Sequence, residues 1–554
     1  MSFSEKSEGS EKSGKVVTPL QRGWSLDTLP RARLRSQLKP IIDNPPPDPP
    51  KSRSPVLSKK INAALLTFEE LATKIGHEPH SDRLKGLWKR SVHYKEMRTE
   101  TKGIETTCKQ SLATLDEGAL TKQIEDLVKA GEAYVNQHKK DTDKVAAGNE
   151  VVARARGRLE LLKAVTADPA FDKVKNHITI EQALDCKARA IRFEDCDFGA
   201  LNDNEVEKAN DKFGSGNANS VSKLTFKNKD VRVFKAEKLT DDNPLDGVAQ
   251  LGIDPKSPHN GNRNIATSAV ADLLGLKVMP KASFGLHKNP TTGEQEIGLM
   301  MGLADGLPPA RGVWETWKPP QPGSTLGDMV KNNDLEGLAK KKLRPNPDGP
   351  GWQKEVTKLL PPWGDTPPSP KAQAAMIEQL NGLEWCDILT GQTDRHAQNY
   401  FVKIDGDNVT VTGIDNDMAF GKLQTKASFT AKEVPARKTP PGLPPLMDKK
   451  VYDELMAKNF DRDLLPSLSS LLTEEEVEAS RLRFNQAKDH AATLKEAGYV
   501  VEDWTSWKSP GEEKLSPRQF LATVQQVSGG KATSERSGGL FGRDFAKMFD
   551  EAGL

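Results

Sequence analysis

The 554-residue chain is poor in cysteine, and its 4 thiols, Cys108, Cys186, Cys196 and Cys386, show neither Cys-x-x-Cys spacing nor a histidine at zinc distance. This argues against a disulfide scaffold or a zinc module and points to reduced thiols in a reducing compartment. Long apolar runs are missing too: no stretch of about 18 apolar residues occurs, so no membrane-spanning helix is expected. The start, Met1-Ser-Phe-Ser-Glu-Lys-Ser-Glu-Gly-Ser10, lacks the apolar core of a secretory signal. An excess of one charge is also absent. With 80 basic and 78 acidic residues the net charge is +2, which offers no global attraction to nucleic acid or to an anionic membrane. Any peripheral lipid contact has to come from a local patch.

Hydrophobic residues make up only 36% of the chain, against 37 prolines and 43 glycines, so a good fraction is expected to be linker or tail. Residues 1–57 are polar and proline-rich, with Pro45-Pro-Pro-Asp-Pro-Pro50 the clearest tract, and cannot bury enough apolar surface to offset their ordering entropy. Over 58–190 apolar residues recur at three and four positions, as in Leu120, Ile124, Leu127, Val128 and Tyr134, which predicts an antiparallel α-helical domain. In its run Val151–Val165, Arg154, Arg156 and Arg158 are expected on the exposed side.

Beyond Glu194 the period changes. Phe213-Gly-Ser-Gly216 is a glycine-containing turn between strands, and Val231-Arg-Val-Phe-Lys-Ala236 is an alternating strand carrying Lys235. A helix with a glycine stop follows at 262–276, then strands at 278–284 and 298–303. Residues 304–371 are rich in proline and glycine, carry Trp314, Trp317, Trp352 and Trp363, and show little periodicity, as an insertion serving a substrate or partner would. Residues 508–554 are Ser-, Gly- and Lys-rich and are expected to be mobile.

The richest stretch is Gly391-Gln-Thr-Asp-Arg-His-Ala-Gln-Asn-Tyr-Phe-Val402, followed by Gly413-Ile-Asp-Asn-Asp-Met-Ala-Phe-Gly421. An apolar helical run feeds a polar loop, and two short strands bring a second acid beside the first. Phosphoryl transfer needs a carboxylate to orient or deprotonate the attacking hydroxyl, here Asp394, and an amide and a second carboxylate to hold metal against phosphates, here Asn399 and Asp415. Mg2+ takes few protein oxygens and completes its shell from phosphate and water. The plainer alternative is that these Asp, Asn and His residues only cap a helix and turn a hairpin.

Thr-Asp-Arg-His-x-x-Asn with Ile-Asp-Asn-x-x-Ala-Phe, and Val-Phe-Lys upstream, resembles the phosphatidylinositol 3/4-kinase-like group, most closely the type II phosphatidylinositol 4-kinases and their bacterial effector relatives. The resemblance spans about 205–505. It implies an α+β, two-lobed protein/lipid-kinase-like fold after the α-helical domain, with disordered termini, an N-lobe over 205–303 and a C-lobe over 372–507.

It further implies Gly214, Ser215, Gly216 and Lys235 on ATP phosphates, Met300 and Met301 at the adenine hinge, and Asn399 and Asp415 on Mg2+. Asp394 then serves as base or orienter, with Arg395 and His396 bracing the loop or the γ-phosphate; His396 as a buried structural histidine is the alternative. Relatives often place a glutamate on the helix after the lysine strand, and here that position is Asn264. Lys235 then requires another acid, with Asp272 or Glu237 as candidates. Asp417 stands where the relatives carry glycine, as a further metal contact or a tolerated change.

The acceptor implied is a phosphoinositide lipid or a protein hydroxyl. The layout resembles type III secreted bacterial effectors that enter a host cell and often await a host activating protein. A pseudokinase scaffold and an AMP transferase are the competing readings.

Overall fold

The computed structural model describes residues 92–199, 203–215, 220–236, 248–255, 258–289, 293–318, 320, 323–332, 334–347, 349–427, 443–527 and 539–554. The proline-rich start, Gly216, Glu237 and most of the basic stretch after Lys426 lie outside these residues. The fold is mixed helix and sheet.

Among the described residues the first helices longer than two turns are α1 (Val92–Cys108), α2 (Glu117–Gln137), α3 (Thr142–Thr166) and α4 (Ile180–Ala188). Asp116 and Asp141 cap α2 and α3 by accepting from backbone amides, and the predicted stripe of Leu120, Ile124, Leu127 and Tyr134 is buried. The expectation for α3 is corrected: Arg154 and Arg158 are buried and only Arg156 is exposed. The Arg154 guanidinium pairs with Glu150 one turn earlier, and Arg156 pairs with Glu132 of α2. The segment after α4 joins a sheet edge, where the Asp197 amide donates to the Phe284 carbonyl at 2.9 Å.

That sheet contains β1 (Val206–Ser215), β2 (Ser220–Phe226), β3 (Val231–Ala236), β4 (Ala282–Lys288) and β5 (Gln295–Gly302), in the order β1-β2-β3-β5-β4, all neighbours antiparallel. Strand alternation splits it into two faces. Leu224, Phe226, Phe234, Ala236 and Met300 form a small core of their own on one face. Asp211 on β1 bonds His287 on β4 at 2.8 Å, so the two edge strands curl together over that core. Lys235 and its cross-strand neighbour Leu299 lie on the opposite face.

Between β3 and β4 runs α5 (Asn260–Leu273). It is buried on nearly every side and fastened by polar contacts. Asn262 donates to the Leu471 carbonyl at 3.0 Å, and Arg263 donates to the Ala419 carbonyl at 2.6 Å while pairing with Glu476.

The stretch 304–371, expected to lack periodicity, holds a three-stranded sheet of β6 (Ala310–Trp317), β7 (Leu343–Pro345) and β8 (Trp352–Leu359), with two short helices. Its strands carry Arg311, Glu315, Lys354 and Lys358 on partly or fully exposed positions, which hid their alternation in the sequence.

The centre of the molecule is α6 (Pro370–Thr390), capped by Ser369 with Pro370 in its first turn. It is enclosed all round by apolar contacts that include Met376, Leu380, Leu383, Trp385 and Ile388. After it come the hairpin β9 (Tyr400–Asp405) and β10 (Asn408–Gly413), then α7 (Lys449–Ala457) and α8 (Glu474–Glu496), the last begun by a Thr473/Glu476 capping box.

A correction concerns the C-terminal residues expected to be a mobile tail. In their described part they form α9 (Pro517–Val527) and a second helical segment over 541–551, whose Phe541, Phe545 and Phe549 are buried. Three phenylalanines four residues apart make one apolar stripe, and burying it outweighs the polar composition around it.

Candidate active site

α6 ends at Gly391, whose φ of +68° is left-handed and whose missing Cβ would lie 2.8 Å from Gln424 Oε1 and 3.1 Å from the Arg483 guanidinium. Only glycine lets the chain turn there and present Asp394. The loop then enters β9. Tyr400 pairs with Gly413 across the hairpin, and the Ile414 amide donates to the Asn399 carbonyl at 2.9 Å, so Asn399 and Asp415 become neighbours at the hairpin's open end. Asp415 itself has φ +57°, a left-handed conformation that aspartate tolerates better than most residues and that often marks a functional site.

Asn399 Nδ2 donates to the Asp394 carbonyl at 2.9 Å and to its Oδ2 at 3.3 Å. Gln392, which sequence reasoning passed over, accepts from the Asp394 amide at 2.9 Å and donates to the Asp415 carbonyl at 3.0 Å. One buried carboxamide thus ties the two acids' backbones together.

Lys235 reaches this cluster from a strand 180 residues away in sequence: its Nζ lies 2.9 Å from Asp415 Oδ1 and 2.5 Å from Asp417 Oδ2. Burial works against the ammonium, yet the two carboxylates outweigh it and hold the Lys235 pKa above the ordinary lysine value. Lys235 in turn holds Asp415 below the usual carboxylate range, whereas burial pushes Asp417 up. The two acids differ in access: the Asp415 side chain is 44% exposed and that of Asp417 8%. Asp417 is also fixed from α5, where Asn264 Nδ2 donates to its Oδ1 at 2.8 Å and Asn264 Oδ1 accepts from the Asn416 amide at 3.1 Å.

The acid partner of Lys235 is therefore corrected. Asp415 and Asp417 contact it, while Asp272 is exposed on α5 and Glu237 lies outside the described residues. Asn264 does occupy the helix position facing the lysine, but it acts through Asp417.

Arg395 is also corrected as a phosphate contact. It is 0% exposed, and its guanidinium is engaged by Asp387 at 2.9 Å, by the Asn399 and Ile414 carbonyls at 2.6 Å each, and by Asn416 Oδ1 at 2.6 Å. It braces the loop against α6 and β10. His396 is not buried: its side chain is 27% exposed and its Nε2 lies 3.9 Å from Asp394 Oδ2.

On the sheet, Gly214, Val221, Lys235 and Leu299 fall in one cross-strand row, which sets Gly214 two strands, or about 10 Å, from the lysine. Ser215 closes the described part of β1. Met301 is opposite Val233, on the Lys235 face, whereas Met300 is opposite Phe234 in the small core on the other face. Met300 thus cannot line a pocket next to Lys235; Met301 is on the side where it could.

Among the described residues no group of three or more His, Cys, Asp and Glu side chains could hold a metal. The donor set nevertheless fits Mg2+ bound together with a nucleotide: an accessible carboxylate at Asp415, and beside it the carboxamide of Asn399, whose nitrogen donates to Asp394 and whose oxygen is of the kind Mg2+ takes. No helix of the described residues is long and apolar enough to cross a membrane.

No family model matches the chain, and no curated protein matches it. Among solved structures it is similar to hydra Fam20 with sugar, at 14% identity and TM-score 0.31 over 54% of this chain and 89% of that one. It is also similar to the Golgi casein kinase with Mn/ADP bound, at 13% identity and TM-score 0.31 over 61% and 85%. A third is the Helicobacter pylori proinflammatory kinase CtkA, at 15% identity and TM-score 0.24 over 52% and 96%. At such TM-scores the likeness is loose, and neither residue roles nor activity are taken from it.

Proposed function

We propose that the chain is an ATP-dependent phosphotransferase of two-lobed, kinase-like build, with β1–β5 and α5 as one lobe and α6 to α8 as the other. The observation that carries this is the convergence of Lys235, Asp394, Asn399 and Asp415 around one point from separate elements. Asp394 accepts the proton of, or orients, the attacking hydroxyl; Lys235 neutralises phosphate charge; Asn399 and Asp415 hold Mg2+. When bound, the metal draws negative charge off the phosphate oxygens. Gly214 to Gly216 cover the phosphates, Met301 contributes to the adenine wall, and Arg395 keeps the Asp394 loop in place without touching substrate.

The acceptor in this proposal is a phosphoinositide lipid or a protein hydroxyl, presented by a secreted effector inside a host cell. Lys235 clasped on both Asp415 and Asp417 favours an enzyme that is quiet until activated, because metal and lysine compete for Asp415. A host protein that helps separate them is the partner this implies.

Full-length protein incubated with γ- or α-labelled ATP, Mg2+ and either mixed phosphoinositides or host-cell extract tests the proposal. Transfer of γ-label, lost in Asp394→Ala while nucleotide still raises the melting temperature, is expected. Transfer of α-label identifies an AMP transferase instead, and no label with extract present indicates a scaffold.

A further inference from the structure

The segment over 541–551 does more than bury its phenylalanines. Its Arg543 Nη2 donates to the Arg395 carbonyl at 2.9 Å, the residue directly after Asp394. The neighbouring Asp544 accepts from the Tyr400 hydroxyl at 2.5 Å, the residue directly after Asn399. Arg543 and Asp544 are themselves joined by two parallel bonds, Nε to Oδ1 and Nη2 to Oδ2, each 3.0 Å. One dipeptide therefore grips both ends of the loop that carries the proposed base and metal amide.

The grip is built in a dry place. Tyr400 is 0% and Asp544 5% exposed, so the hydroxyl–carboxylate bond between them is shielded from water. Aromatic packing holds the segment down, with Trp363 from the stretch before α6 at 4.9 Å from Phe549, ring centre to ring centre, and Phe545 at 6.4 Å from Tyr400. Buried polar contacts of this kind fix a geometry more than they add stability, since each group bonded here would otherwise be solvated.

We propose that Arg543 and Asp544 form a C-terminal clamp that positions the Asp394–Asn399 loop, making the chain's last residues part of the transfer site. The clamp rests on the phosphotransferase reading for its purpose, but its effect on the loop is measurable without any activity. The amides of His396, Gln398 and Asn399 are hydrogen-bonded within the loop and report its order.

Hydrogen exchange at these amides is compared in full-length wild type, Arg543→Ala and the milder Tyr400→Phe, below the melting temperature of each. The expected result is exchange faster by about tenfold or more in both variants. Turnover, once an acceptor is known, should fall by a similar factor while the KM for ATP stays within about twofold, as expected when a reacting group is misplaced by a fraction of an ångström. Phe549→Ala, which loosens packing but keeps the polar contacts, should lower the melting temperature and leave that split absent. Exchange within about twofold of wild type in both clamp variants overturns the proposal. Absence of phosphate transfer in wild type would count against the phosphotransferase reading alone, since the exchange comparison still decides the clamp.

Discussion

At Lys235 two carboxylates share one ammonium, and the more exposed of them is the proposed metal ligand. Under the proposed function, the part of Asp417 is to keep the lysine in the site when Asp415 turns to the metal. Asp417→Asn leaves Lys235 with Asp415 as its one remaining carboxylate, so the lysine competes harder with Mg2+. The metal's apparent affinity, measured by titration with ATP present, should drop about tenfold, or roughly 1.4 kcal/mol; an unchanged affinity would refute this role. His490 makes a second prediction. Stacked on Trp385 and donating from Nε2 to the Pro444 carbonyl at 2.8 Å, it is fully buried, which pulls its pKa down to about 4. The unfolded chain takes up this proton below about pH 6.5 and the folded one does not until about pH 4. This residue's contribution of about 3 kcal/mol is therefore intact above pH 6.5 and lost as pH falls towards 4. Urea midpoints at pH 7 and pH 4.5 should differ less in His490→Leu than in wild type. Sequence reasoning placed Lys235, Asp394, Asn399 and Asp415 in one site but sought the lysine's acid among near neighbours, Asp272 and Glu237, whereas the contacts come from Asp415 and Asp417, 180 and 182 residues away.

Among the elements, α5 is the one whose position decides whether Asn264 can reach Asp417. Its Arg263 is 1% exposed and bound to Glu476 on α8 and to the carbonyls of Ala419 and Pro258. Removing one partner strands a buried charge, so Arg263→Met should cost about 3–5 kcal/mol in denaturant unfolding, and the double change Arg263→Met with Glu476→Leu should recover part of it. A double-variant loss equal to the sum of the Arg263→Met and Glu476→Leu losses would show that the pair is not coupled. Elements with strong local signals were legible: β3 from its alternation up to Lys235, and α6 from the apolar run Met376–Leu389 that ends at Gly391. The sheet of β6, β7 and β8 was not, because its strands mix charged and apolar residues and its turns are built from proline and glycine. The 541–551 segment was masked by the polar residues before it, although its phenylalanine spacing was there to be read.

For the whole molecule, the site is a meeting of parts that are distant in sequence. A strand supplies the amine, a helix end the proposed base, a hairpin the proposed metal ligands, and residues 543–544 contact the loop between them. Local patterns reveal each part, whereas long-range pairs such as Asn264 with Asp417 or Tyr400 with Asp544 exist only once the chain has folded. In the proposed site Asn399 and Asp415 hold a divalent metal on a nucleotide whose phosphates meet Lys235. Mn2+ is a paramagnetic stand-in for Mg2+, and titrating it with ATP into the full-length protein, followed by electron paramagnetic resonance, measures this directly. Wild type should immobilise the Mn2+–ATP complex, and Asp415→Ala and Asn399→Ala should each weaken it by about tenfold or more. Equal affinity in wild type and both variants would contradict it.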